Sequence, residues 1–243
     1  MRLRFLYRNL KARFRDQRQE IRAILQAAAP GDTVVDVGAN KGSYLWWMSR
    51  AVRHGRVVAF EPQARLADYL RTVVRACRLH NVTVEDKAVS DRSGRMVLHV
   101  PGESDSPGAS LEQRVAQREP CRPVEVELVT LDEYFAGARS GRIAALKVDV
   151  EGHELAVFRG AQRTIAEHRP LLVFESENRH LSEGTVADVL HYVTGLGYTG
   201  SVVCRNTLLP LAEFDPADHQ RQEDGRFWDR RDYCNNFILW PSG

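Results

Sequence analysis

The chain has 243 residues, is 43% apolar and 27% charged, and carries a net charge of +2. That length suits one large domain with a real core, and the composition is ordinary for a globular chain. A nearly balanced charge excludes polyanion binding by bulk charge, and no apolar run approaches the roughly 18–20 residues of a membrane-spanning helix.

Apolar residues Leu3, Leu6, Tyr7, Leu10, Phe14, Ile21, Ile24 and Leu25 recur at helical spacing. Arg2, Arg4, Arg8, Lys11, Arg13, Arg15, Arg18 and Arg22 occupy the other face. The pattern predicts a basic amphipathic helix over 1–28, ahead of one domain over 29–243. The helix is expected to dock on its own domain with the basic face in water. An acidic partner, a membrane surface, or a second subunit forming a homodimer is the alternative. The segment lacks the apolar stretch of a secretory signal, so a cytoplasmic location is expected. Cys77, Cys121, Cys204 and Cys234 form no CxxC pair and are then expected as free thiols.

After Pro30-Gly31 the chain alternates. Strands are predicted at 33–37, 56–60 and 82–89, with helices at 44–52 and 66–80 between them. Runs 95–100 and 123–129 flank a polar stretch with Pro101, Gly102, Pro107 and Gly108, which reads as an added antiparallel pair. The alternation resumes with strand 143–150, helix 154–168, strand 171–175 and helix 184–196. Strands 198–204 and 236–240 close it as an antiparallel hairpin. Such alternation predicts a doubly wound, mostly parallel α/β sheet, with ligands outside the carboxyl ends of its strands.

The first strand runs into Asp36-Val37-Gly38-Ala39-Asn40-Lys41-Gly42-Ser43. Gly38 and Gly42 let the backbone turn and approach a ligand, and a helix starting near Ser43 would aim free N–H groups at the same spot. A dinucleotide fingerprint wants glycine at 38, 40 and 43, and fails at Asn40 and Ser43. A carboxylate at Asp36 repels a pyrophosphate and suits a cationic ligand such as S-adenosylmethionine; a structural acid capping the turn is the plainer alternative. Glu61-Pro62, ending the second strand, places an acid where it can accept ribose hydroxyls. At the end of the third strand, Asp86, or the backbone near Lys87 and Ala88, faces the base. A solvated turn is the alternative there.

Five further pieces accompany these: Ala88-Val89-Ser90-Asp91, Leu131-Asp132-Glu133, Lys147-Val148-Asp149-Val150-Glu151-Gly152-His153-Glu154, Gly160-Ala161 and Phe174-Glu175. In order and spacing, residues 32–176 resemble the FkbM family of methyltransferases. The resemblance implies a seven-stranded class I methyltransferase (Rossmann-like) sheet. It also implies methyl transfer from S-adenosylmethionine, with S-adenosylhomocysteine as product, usually to a hydroxyl of a sugar, polyketide or similar metabolite. His153 stands where many members carry a small residue.

Along the strand ending near 151, Lys147, Asp149 and Glu151 alternate to one side, and Glu175 ends the next strand. Methyl transfer from a sulfonium needs alignment and dryness, and an alcohol must also lose a proton. Asp149 is the first candidate base, followed by Glu151 and His153. Glu175 is expected to orient the acceptor, Lys147 to tether a carboxylate, and Glu154 to complement a helix N-terminus. No metal is expected. Asp149, Glu175 and Asn178 form the oxygen set that a divalent cation would use. Loops 101–122 and 205–235 are candidate substrate lids, the second carrying Phe214, Phe227, Trp228 and Tyr233 among Asp229, Arg230, Arg231 and Asp232. The competing functions are RNA or protein methylation, motivated by the basic helix, and cofactor binding without catalysis. No DNA partner is expected.

Overall fold

Short apolar runs that find cover on both faces become central strands, and here five of them pair in parallel. In the computed structural model, residues 1–118, 120–137, 141–223, 225–230 and 232–242 are described. The strands of the main sheet are β1 (Thr33–Val37), β2 (Arg56–Phe60), β3 (Val82–Glu85), β7 (Ile143–Val148), β8 (Leu171–Glu175), β9 (Tyr198–Cys204), β10 (Thr207–Pro210) and β11 (Asn236–Pro241). A second sheet holds β4 (Ala88–Val89), β5 (Gly94–Pro101) and β6 (Cys121–Val129). The helices are α1 (Arg2–Lys11), α2 (Arg18–Ala27), α3 (Leu45–Ala51), α4 (Ala64–Ala76), α5 (Gln113–Arg118), α6 (Leu131–Tyr134), α7 (Glu154–Arg159), α8 (Gln162–His168), α9 (Val186–Gly195) and α10 (Pro216–His219).

The main sheet runs β10-β9-β11-β8-β7-β1-β2-β3. Strands β3, β2, β1, β7 and β8 are parallel, and β11 lies antiparallel between β8 and β9. Strand order reverses between β1 and β7, which places a ligand-binding crevice at their carboxyl ends. One face packs Val35, Val37, Leu146 and Val148 under α6–α9. The other packs Val34, Ala145 and Val173 under α1–α4. The fold is the doubly wound, mostly parallel α/β sheet expected from the sequence, with eight strands rather than seven. Strand β10 is added by a two-residue hairpin turn, Arg205-Asn206, with φ of +52° and +63°.

Several expectations change. Residues 1–28 form two helices, because a π turn at Ala12–Asp16 interrupts them, and Lys11 pairs with Asp16 across that turn at 2.6 Å. The run 82–89 is split between β3 and β4, which belong to different sheets. Helix 154–168 breaks at Gly160, where a Cβ would meet Ser90 O at 2.0 Å. Loop 205–235 carries β10 and α10 rather than a structureless lid. Cys204 and Cys234 form a disulfide, with Cα atoms 5.1 Å apart. Pairing of β9 with β11 brings these ends together although they are distant in sequence. Cys77 and Cys121 stand outside the disulfide. Among the described residues, no helix is long and apolar enough to cross a membrane.

Candidate active site

The carboxyl ends of β1, β2, β7 and β8 open a cleft that communicates with solvent. Ten of the residues singled out in the sequence line it: Gly38, Asn40, Glu61, Pro62, Lys87, Ala88, Asp149, Glu151, His153 and Glu175. Asp36, Ala39, Gly42, Ser43, Asp86 and Lys147 stand outside that lining.

The glycine loop spends its donors on the protein. Gly38 N and Ala39 N both donate to Phe60 O at 3.0 Å, and Gly42 N donates to Ala39 O at 2.7 Å. Asn40 N donates to Glu61 Oε2 at 2.7 Å. Helix α3 begins at Leu45, and Asn9 Oδ1 accepts its Trp46 N–H at 3.1 Å. The amides that cradle phosphates in dinucleotide folds are therefore largely used up. The glycines answer to packing. A Cβ on Gly38 (φ +77°) would lie 1.8 Å from Asp149 O, and one on Gly42 (φ +73°) would lie 2.9 Å from Leu70 Cδ2.

Strand alternation decides where Asp36 points. Val37 lines the cleft, so its neighbour Asp36 turns to the opposite face and is fully buried. Register places Asp36 beside Lys147, whose Nζ lies 3.2 Å from Asp36 Oδ1 and 3.4 Å from Asp149 Oδ2. The same ammonium donates to Gly38 O at 3.1 Å. Burial pushes the Asp36 carboxyl up, with Lys147 opposing. Burial alone would lower the lysine, but Asp36 and Asp149 outweigh it and hold Lys147 above its ordinary range. Lys147 thus joins a buried acid to the cleft-facing Asp149.

Glu61 is 3% exposed. Gln63 N donates to its Oε1 at 3.0 Å. Burial raises Glu61 to about 7, against the hydrogen bonds from Gln63 and Asn40. Gln63 was not foreseen. Its side chain exchanges two hydrogen bonds with the Ser106 backbone, at 2.9 and 3.0 Å, and so fastens the 101–112 loop over the cleft. Leu98 and the loop residues Pro107, Ala109, Ser110 and Leu111 form that wall, and only their loop position hinted at it. Asp86 instead pairs at the surface with Arg71 at 2.9 Å, and Lys87 pairs with Glu127.

On the opposite wall, the side chain of Asp149 is 32% exposed. Glu151, at φ +54°, lies 2.7 Å from His180 Nδ1 and accepts the Ser110 hydroxyl on its carbonyl at 2.6 Å. His153 has both ring nitrogens engaged, Nδ1 with Glu112 Oε1 at 2.8 Å and Nε2 with Ser90 Oγ at 2.9 Å. Asn235 Nδ2 donates to Glu175 Oε1 at 2.8 Å and to Glu177 Oε1 at 2.7 Å. Burial, then Asp149, Glu151 and Glu177, hold Glu175 well above the carboxylate range. Burial opposes ionisation of Glu177, but Arg179 and Glu175 hold it at about 2. Glu154 opens α7 and caps inward, accepting Gly152 N at 2.9 Å, and burial raises it to about 8.

None of the described residues of 205–235 lines the cleft. Tyr233 and Asn235 instead brace the end of β8, and Phe214 packs against Phe237 of the core, ring centroids 5.1 Å apart. Arg231 and the side chain of Asp229 lie outside the described residues. Asn178 Oδ1 is spent on Val186 N at 2.8 Å, and no group of three or more His, Cys, Asp or Glu among the described residues is arranged to hold a metal.

Comparison with known proteins adds three findings. A methyltransferase FkbM domain model matches residues 36–199. The chain is 26% identical over 202 residues to the 2-O-methyltransferase NoeI of Sinorhizobium fredii, covering 74% of this chain and 82% of that protein. Two solved structures share the fold. The methyltransferase FkbM of Methylobacillus flagellatus aligns at TM-score 0.53 and 17% identity over 87% of this chain. The present chain spans only 44% of that protein's length. A methyltransferase-fold chain from Streptococcus mutans in complex with SAH aligns at TM-score 0.51 and 12% identity, covering 93% of this chain and 96% of that one.

Proposed function

Because the chain belongs to the methyltransferase FkbM family, we propose that it transfers a methyl group from S-adenosylmethionine to a hydroxyl of a small polar molecule such as a sugar or polyketide. The observation that carries the reading is the acidic lining of the cleft. Glu61, Asp149, Glu151 and Glu175 line it, while its one lysine, Lys87, is paired with Glu127; burial holds Glu61 and Glu175 above the ordinary carboxylate range, so a cation entering the cleft favours their ionised forms and a diphosphate does not. Such a cleft favours a cationic nucleoside and repels a diphosphate. The spent amides of the glycine loop argue the same way. The preference first assigned to Asp36 thus rests on the four lining acids, with Asp36 acting beneath them through Lys147.

These residues fit the donor. Glu61 accepts the ribose hydroxyls, the loop from Gly38 to Asn40 borders the amino-acid end, and the backbone at Lys87 and Ala88 edges the adenine. When bound, the sulfonium supplies a methyl carbon already activated for attack. Asp149 is the base. Lys147 fixes its side chain, so it receives the acceptor's proton as the C–O bond forms and the C–S bond breaks. Glu175 orients the acceptor, and Glu151, His153 and Pro62 shape the wall. The likeness to a 2-O-methyltransferase supports oxygen as the acceptor atom.

The test is transfer from methyl-labelled donor to a panel of sugars and polyketide alcohols, with the product read by NMR. An O-methyl product is expected. Asp149→Asn should bind S-adenosylhomocysteine within about twofold of wild type and turn over about a hundredfold more slowly or worse. Label found only on nitrogen or in RNA, or normal turnover in the variant, would contradict the reading.

A further inference from the structure

Helix α1 and the π turn after it offer apolar side chains to water. Leu3 is 82% exposed, Tyr7 67%, Leu10 49% and Phe14 65%. At 100° per residue Leu3, Tyr7 and Leu10 fall within about 60° of one another, and Phe14 follows in the π turn with its ring edge-on to Trp47 of α3, centroids 5.9 Å apart. The face that docks on the domain is the opposite one, formed by Phe5, Asn9 and Ala12, all at most 2% exposed. The segment therefore has two faces with apolar residues and one partner. Five of the eight large apolar side chains exposed among the described residues lie between Met1 and Phe14, so the exposure is concentrated rather than scattered.

Charge says what covers the second face. Residues 1–18 contain seven arginines and lysines and one acid, Asp16, which Lys11 neutralises. The rest of the chain is net acidic. On the helical wheel of α1, Arg4 and Lys11 border the stripe, and Arg15 and Arg18 follow it in sequence, Arg4, Arg15 and Arg18 being exposed. A second copy docked stripe to stripe would press these basic groups together. An anionic bilayer matches both features at once, giving apolar side chains the headgroup boundary and arginines the phosphates.

We propose that this segment seats the protein on anionic lipid surfaces, with Leu3, Tyr7 and Leu10 inserted and the arginines on the headgroups. The mode is interfacial. The segment lies in the plane of the bilayer surface and stays anchored to the domain through Asn9, whose Nδ2 donates to Gly42 O at 2.9 Å.

The test is co-sedimentation of the full chain with phosphatidylcholine vesicles, with and without about 30% phosphatidylglycerol. Binding is expected only to the anionic vesicles and should fall as salt rises from about 0.05 M to about 0.5 M. Leu3→Glu with Leu10→Glu should weaken it at least about tenfold. Arg4→Gln and Arg15→Gln should each weaken it about fivefold. Both side-chain pairs face water, so thermal midpoints should stay unchanged. No binding to anionic vesicles, or binding indifferent to Leu3→Glu with Leu10→Glu, overturns the proposal. So does light scattering that shows a dimer which the glutamate pair dissociates, with no lipid binding by either form.

Discussion

Replacing Lys147 with methionine removes the one cation between Asp36 and Asp149 while keeping most of its volume. Asp36 has no other ion-pair partner among the described residues and no contact with water, so its charge would be stranded. Breaking a buried pair in this way costs about 3–5 kcal/mol. For a domain of this size that lowers the thermal midpoint by about 6–20 °C. The cost must depend on pH in a definite sense. Burial already raises Asp36 and Lys147 opposes the rise, so without the lysine the folded carboxyl titrates still higher than the unfolded one. Above the unfolded pKa of about 4, the unfolded chain then releases a proton that the folded chain keeps, and stability falls by about 1.4 kcal/mol per pH unit until the folded pKa is reached. The deficit relative to wild type should therefore be small near pH 5 and largest near pH 8. Adding Asp36→Asn removes the stranded charge and should recover much of the loss. Urea unfolding at three pH values measures all of this. A deficit below about 1 kcal/mol, a deficit independent of pH, or no recovery in the double variant would refute the reasoning.

Two more expectations concern the donor site and the cysteines. Glu61 sits at about 7 through burial, and its ionised form is the better acceptor, so calorimetric affinity for S-adenosylhomocysteine should rise from pH 6 to pH 8. Glu61→Ala should weaken binding about tenfold to a hundredfold and Glu61→Gln should flatten the pH dependence; unchanged affinity in both variants would remove Glu61 from the site. Alkylation of the denatured, unreduced chain should label Cys77 and Cys121 only, and all four cysteines after reduction. Closing a loop with sequence separation 30 implies about 3–4 kcal/mol of stability lost on reduction. Four labelled thiols without reductant would show the pair to be open.

The sequence made the sheet and the acid-rich strand ends legible because those signals are local. Asp149, Glu151 and Glu175 follow apolar runs that can only be buried strands, and the next polar residue must then sit at the strand's mouth. Asp36 shows the limit of that rule. It belongs to a strand end, but alternation had already committed Val37 to the cleft. The reasons for Gly38 and Gly42 were hidden for another cause, since the atoms that exclude a side chain there belong to Asp149 and Leu70, far along the chain. The clamp between Gln63 and Ser106 and the pairing of Cys204 with Cys234 are likewise long-range and leave no periodic mark. At the N-terminus the helical spacing was visible, but which apolar residues meet the domain depended on Phe5 and Asn9 fitting against α3 and the glycine loop.

The central claim is that this cleft takes a cationic nucleoside and refuses a diphosphate. Side-by-side calorimetric titration of the wild-type chain with S-adenosylhomocysteine and with NADH tests it most directly. The account predicts saturable binding of the first at one site and none of the second. Tight NADH binding without S-adenosylhomocysteine binding would contradict it.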